Sequence, residues 1–265
     1  MFAFVTSLYN LSDIRRGDGR DWQDYLDWFG RTLRVKAPVI IFTEPETVEF
    51  IDKMRDGINH PTYKVITTLE EVPLYHLKES MQEVLDSNFY KENMNDTNRV
   101  ECNDSMYSVI QYSKFKWLKE STATFDFKYY FWLDAGASRF IDEELYENVY
   151  PSEEAIKSLE TLDDTFLIQY NDEYYPDLVN QDTLSIDYLW DNRAFICGSM
   201  FGGNKNSIHN IDLEMDSIMD HMISNKCLNN EQIALGFMCK AREELFTRYY
   251  RQNPHRHLDL FQELA

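Results

Sequence analysis

Short apolar runs alternate along the first third of the chain with stretches whose apolar positions recur every three to four residues. Phe2–Leu8, Pro38–Thr43 and Tyr63–Thr67 have the continuous apolar character of strands buried on both faces. Between the first two lies Asp21–Val35, where Trp22, Tyr25, Leu26, Phe29 and Leu33 fall at helical spacing and Asp21 supplies an N-cap. Glu44-Pro45 opens a second helix through Met54, with proline in its favoured first turn. Strand, helix, strand, helix at this spacing predicts βαβ units, hence an α/β fold with a mostly parallel central sheet flanked by helices.

The pattern continues less regularly. Leu77–Leu85 reads as helix and Lys91–Asp104 as a polar loop or insertion. Ser105–Ser121 is predicted helical, with Ser105 as cap and Met106, Ile110 and Trp117 on its apolar side. It leads into a strand over Phe125–Asp134, the most informative stretch of the chain. There Tyr129–Leu133 is wholly apolar or aromatic and stops at Asp134, followed by Ala135 and Gly136. A carboxylate is thereby placed at the C-terminal end of a central strand, where open α/β sheets bind ligands. Further on, Pro151–Leu159 reads as helix and Phe166–Tyr170 as strand. Phe195–Gly203 is strand-like but holds Gly198, Gly202 and Gly203, a sign of close approach by a ligand or by another backbone. A helix over Ser207–Ser224 and another opened by Asn229-Asn-Glu-Gln follow, with Glu231 and Gln232 in the first turn of the latter. Residues 248–257 read as a tail. No repeat or linker divides the chain, which predicts one domain.

Composition narrows the function. The chain has 265 residues, of which 43% are hydrophobic and 27% charged, as expected of a folded globular protein, and its formal net charge is -20. That charge repels nucleic-acid phosphates and anionic lipid, so a nucleic-acid or membrane-surface role is excluded as an expectation. An anionic ligand would need a cation or local Arg and Lys. Four cysteines without CxxC spacing point to free thiols in a reducing compartment. The apolar N-terminus lacks a basic leader region and reads as a first strand, and no apolar run has transmembrane length. A cytoplasmic protein is the expectation.

Each candidate group has a plain structural reading beside the chemical one. Asp134 either ends a strand or takes part in binding Mg²⁺ or Mn²⁺, for which one protein carboxylate suffices when phosphates and water supply the other oxygens. The glycines at 198, 202 and 203 mark a site or a bulge. Glu231, in the first turn of its helix, is on the plain reading a charge complementing the helix dipole. His255 and His257 are a metal clamp or two surface histidines, and Arg15, Arg16 and Arg20 an anion-binding or a solvated loop. Trp117 and Trp132 read as core rather than as a sugar platform. G-x-S-x-G, P-loop and G-x-G-x-x-G patterns are absent.

Phe4-Val-Thr-Ser, Asp13-Ile-Arg-Arg, Trp28, Ile41-Phe-Thr, Lys114, Trp117 and above all Phe131-Trp-Leu-Asp-Ala-Gly with Arg139-Phe140 together resemble the HtrL/YibB family of glycosyltransferase-like proteins. The resemblance implies a GT-A fold, with a nucleotide-sugar-binding half over about 1–140 and an acceptor-binding half over about 141–265. A more distant similarity to ABO-type transferases rests on the order Gly198-Ser-Met-Phe-Gly-Gly203, helix, Asn230-Glu231-Gln232. GT-A enzymes typically carry Asp-x-Asp; here Asp134-Ala135-Gly136 lacks the second carboxylate. Either Asp134 shares a divalent cation with His255 or His257, or Arg15, Arg16, Lys114 or Arg139 neutralise the diphosphate without one.

What the resemblance implies is transfer of a sugar from a nucleotide-diphosphate sugar to a glycan acceptor hydroxyl, as in polysaccharide biosynthesis. Thr6, Arg15, Arg16, Thr43, Lys114, Asp134 and Arg139 would serve the donor, and Gly198, Gly202, Gly203 and Gln232 the acceptor. Glu231 would act as base, or as nucleophile or stabiliser. Two alternatives stand beside this: a metal-dependent nucleotidyltransferase or nucleotide-sugar hydrolase, and a non-catalytic glycan- or protein-binding module.

Overall fold

The structure is a computed structural model that describes residues 2–11, 20–171, 173–250 and 258–265. Its strands are β1 (Phe2–Leu8), β2 (Val39–Thr43), β3 (Thr62–Ile66), β4 (Tyr129–Leu133), β5 (Phe166–Tyr170), β6 (Ile196–Asn204) and β7 (Phe246–Tyr250). The helices are α1 (Trp22–Thr32), α2 (Val48–Arg55), α3 (Lys78–Asp86), α4 (Asn88–Asn93), α5 (Ser105–Thr124), α6 (Glu153–Leu159), α7 (Pro176–Val179), α8 (Lys205–Ser224), α9 (Glu231–Ala241) and α10 (Asp259–Glu263). The strands form one seven-stranded sheet in the order β3-β2-β1-β4-β6-β5-β7. All pairings are parallel except those of β6, which runs antiparallel to both β4 and β5.

Every residue of β1, β2, β4 and β5 is buried, because both faces of the sheet are covered. Successive side chains point to opposite faces. Tyr130 and Trp132 of β4 thus join the apolar layer under α5, α8 and α9, while Tyr129, Phe131 and Leu133 join the layer under α1 and α10. On the first face Tyr9, Trp117 and Trp132 stack nearly parallel, with ring centroids 5.6 and 5.9 Å apart. Trp117 is core, as its helical spacing predicts. The α8 helix is held against α5 by ion pairs from Lys116 and Lys119 to the fully buried Asp212, at 2.7 and 2.5 Å. Buried Arg55 ties the end of α1 to the sheet by donating to the carbonyls of Leu33, Val35 and Ala37. Burial pulls its pKa down to about 10.

Several element boundaries differ from expectation. Asp104, not Ser105, caps α5, its carboxylate accepting from Met106 N at 2.9 Å while Ser105 is buried in the first turn. β4 begins at Tyr129 rather than Phe125, because the Tyr130 hydroxyl bonds Phe125 O and Phe127 N and holds those residues in a turn. The polar stretch after Leu85 contains α4, anchored by fully buried Tyr90. Residues 248–250, the start of the expected tail, belong to β7. All four cysteines are free and buried. Among the described residues no helix is long and apolar enough to cross a membrane.

Gly202 explains itself in this sheet. A Cβ there would lie 2.2 Å from Tyr130 O and 2.6 Å from Phe131 Cα, both backbone atoms of β4. Neither can yield without breaking the ladder. Gly202→Ala is therefore expected to destabilise the protein by about 3 kcal/mol or more, read as a lowered urea midpoint; an unchanged midpoint would refute the close approach.

Candidate active site

β1 and β4 are parallel, so their C-terminal ends share one edge of the sheet. Antiparallel β6 starts at that same edge, and the Asp134 amide extends the ladder by donating to Ser199 O at 2.9 Å. From the far edge α8 carries the chain back, so that α9 begins beside the start of β6. Asn230 caps α9 by accepting from Ile233 N, and its amide is held by Glu101. These elements enclose a cavity of about 410 Å³. Asp134, Lys114, Trp132, Gly198 and Glu231 line it.

Its floor is an ion triad. Lys114 Nζ lies 2.7 Å from Glu231 Oε1, 2.9 Å from Asp134 Oδ1 and 3.3 Å from Gly198 O. Three oxygens thereby meet the three N–H bonds of the ammonium. Burial alone would pull the Lys114 pKa down, but the Asp134 and Glu231 carboxylates outweigh it and hold it above the ordinary lysine range. Burial pushes Glu231 the other way, above the usual carboxylate range, with Lys114 opposing. Glu231 is 2% exposed, and its Oε2 has no hydrogen-bond partner among the described residues. Asp134 Oδ1 also accepts from Trp132 Nε1 at 2.5 Å. Among the described residues both groups that hold the Asp134 carboxylate act on the one oxygen, and none bonds Oδ2.

Gly198 is required by this packing, since a Cβ would lie 2.8 Å from Glu231 Oε1 and 2.7 Å from Gln232 Cγ. The turn after Asp134 is pinned by α1, where Thr32 Oγ1 donates to Ala135 O and accepts from Ser138 N. Its Arg139 folds back to donate to Gly136 O, and the guanidinium lies 4.4 Å from the Trp28 ring centroid. Arg20 approaches the same ring at 5.7 Å. Both arginines line the cavity.

The structure brings together Asp134, Glu231, Lys114, Arg139, Gly198 and Gln232, whose Nε2 donates to Ile196 O. It does not bring the others. Thr43 is fully buried and spends its hydroxyl on Leu8 O, and Thr6 is 2% exposed within β1; neither lines the cavity. Gly202 and Gly203 pack closely on the β4 backbone and on Ser207 Oγ and do not line the cavity. Lys114 reaches the cavity floor with its ammonium held by Glu231, Asp134 and Gly198 O. Arg15, Arg16, His255 and His257 lie outside the described residues. Sequence reasoning missed the wall formed by Tyr107, Ile110 and Gln111, whose i, i+3, i+4, i+7 spacing with Lys114 marks one face of α5.

Among the described residues no group of three His, Cys, Asp or Glu is arranged to hold a metal. A divalent cation fits this floor only through Asp134 Oδ2, with a bound diphosphate and water supplying the remaining oxygens.

Comparison with solved structures gives mouse xyloside xylosyltransferase 1 in its apo form at TM-score 0.50 and 9% identity, covering 99% of this chain and 93% of that one. Core-mannan synthase A from Aspergillus fumigatus in a Mn/GDP form gives TM-score 0.47 and 11% identity, over 94% and 72% of the two chains. For 4-diphosphocytidyl-2C-methyl-D-erythritol synthase from Anaerococcus prevotii the values are 0.40 and 10%, over 96% and 90%. The first likeness establishes the fold, which is of GT-A type. No curated protein sequence matches the chain. Residues 4–263 match the family described as "Bacterial protein of unknown function (HtrL_YibB)", and the chain belongs to that family.

Proposed function

We propose that the chain is a glycosyltransferase that moves a sugar from a nucleoside-diphosphate sugar to a glycan hydroxyl. The observation that supports this best is the pairing of Asp134 and Glu231, one from each half of the sequence, on a single buried ammonium beneath one cavity. Residues of about 1–140 supply the donor side and those of about 141–265 the acceptor side. Arg139 and Arg20 face the diphosphate, with their guanidinium groups beside the Trp28 ring. Arg15 and Arg16 extend that basic side in the sequence, and Gly198 and Gln232 bound the acceptor side.

In the transfer the acceptor oxygen forms a bond to the anomeric carbon as the bond from that carbon to the β-phosphate oxygen breaks. The electron pair leaves with the nucleoside diphosphate, and the hydroxyl proton passes to Glu231 Oε2, the oxygen no other described group claims. Asp134 would hold through Oδ2 a divalent cation, Mn²⁺ or Mg²⁺, whose charge offsets the departing diphosphate. Inverted anomeric configuration in the product goes with Glu231 as base; retained configuration makes it a nucleophile or stabiliser on the donor's β-face.

Glu231→Gln is expected to lower kcat by about 10²–10⁴-fold and Asp134→Asn by about 10²–10³-fold, both keeping the fold but with reduced stability because Lys114 loses a counter-charge. The assay is product formation from a panel of UDP- and GDP-sugars with glycan acceptors. Wild-type turnover in either variant removes that residue from the mechanism, and hydrolysis at full rate without acceptor favours the hydrolase alternative.

The pH profile gives an independent check. A base must be ionised, and burial holds Glu231 above the usual carboxylate range. Activity should therefore fall with acidification on a limb centred above the normal glutamate value of about 4.3, and the Glu231→Gln residual rate should lack that limb. A limb at the same pH in the variant would assign it to another group.

A further inference from the structure

Asp134-Ala135-Gly136 lacks the second carboxylate of an Asp-x-Asp motif, yet the folded protein has one at the same place. Glu231, 97 positions after Asp134 in the sequence, accepts from the same nitrogen as Asp134 does. In space the pair is complete, and Lys114 sits between its members. The Lys114 side chain is 8% exposed, meets three oxygens at its ammonium, and enters from α5, a 20-residue helix whose Tyr112 and Trp117 are locked in the core. Lys114 therefore cannot withdraw to solvent as a surface lysine does.

Two carboxylates converging on one buried point are the usual setting of a divalent cation. Here a protein cation stands there instead, and its counter-charges fix the direction of both carboxylates. One oxygen of each is taken by Lys114; among the described residues Asp134 Oδ2 has no partner, and neither has Glu231 Oε2, which is buried.

We infer that Lys114 is the resident cation of a two-carboxylate floor, a positioning residue that takes the place of a divalent ion in the free protein and aims Asp134 and Glu231 at the substrate. The inference rests on the transferase reading only for the identity of that substrate. Its consequence for metals is independent of activity. The free wild-type protein should bind Mn²⁺ weakly, since the ion would have to share both carboxylates with an adjacent ammonium. Removing the ammonium should turn the floor into a Mn²⁺ site.

The test is thermal unfolding of the full chain with Mn²⁺ or EDTA and no nucleotide, for wild type, Lys114→Met, Lys114→Gln and Lys114→Arg. Mn²⁺ is expected to raise the Tm of the Met and Gln variants by about 5 °C at saturating ion and to leave wild type and the Arg variant unmoved. Equal stabilisation of wild type, or no stabilisation of whichever neutral variant folds, would overturn the inference. Should neither neutral variant fold, the wild-type arm still decides it, because strong Mn²⁺ stabilisation there shows that Lys114 does not fill the cation's place. UDP- and GDP-sugar binding, measured by calorimetry on the same wild-type sample, judges the transferase reading separately: failure to bind sinks that reading and leaves the Mn²⁺ comparison standing.

Discussion

The buried ammonium of Lys114 is the constraint on which the site depends. A charge taken out of water costs several kcal/mol unless it is paired and hydrogen-bonded, and Lys114 meets that requirement only if four elements arrive together. α5 must deliver the nitrogen, β4 must be followed by Asp134, β6 must bring the Gly198 carbonyl, and α9 must begin with Glu231. A displacement of any one leaves an unpaired charge in a low-dielectric floor. The same electrostatics that would penalise misassembly thus fixes the geometry used for chemistry.

The overall charge of the chain and the local charge of the cavity have opposite tasks. At -20 the surface repels polyanions, whereas a nucleoside diphosphate is small enough to be met by a few oriented cations. Arg20 and Arg139 stand at the cavity with their guanidinium groups near one indole, Trp28. Contact with an aromatic face restricts an arginine, and the bond from Arg139 Nε to Gly136 O restricts that one further.

Much of this was legible in the sequence, for identifiable reasons. The α/β alternation was readable because strands covered on both faces are continuously apolar, and Asp134 because such a run ends abruptly at a carboxylate. Glu231 was readable through order along the chain. The triad was not, since neither periodicity nor spacing reports that residues 114, 134 and 231 meet at one nitrogen. The three glycines of β6 divide in space: Gly198 lines the cavity, whereas Gly202 meets the β4 backbone and Gly203 meets Ser207. A glycine signals close approach without naming what approaches. β7 escaped because Phe246–Tyr250 is a short edge strand, half-buried and rich in polar residues, and lacks the apolar continuity of its neighbours. Asp104 and Ser105 are adjacent and equally able to cap, so only the three-dimensional register chooses between them.

The reversal of β6 has a metric consequence. Nine residues of strand carry the chain about 30 Å away from the cavity, and twenty residues of α8 carry it about 30 Å back. Outward and return paths match in length, which is why α9 opens level with the start of β6. The helix is therefore a spacer of set length between Gly198 and Glu231. Its lateral position is held by the Lys116 and Lys119 pairs to Asp212, and its length sets the level at which Glu231 joins the floor. One turn more or less would move that carboxylate by about 5 Å, beyond reach of the ammonium that aims it. A helix far from the chemistry is in this way the ruler that the chemistry is cut to.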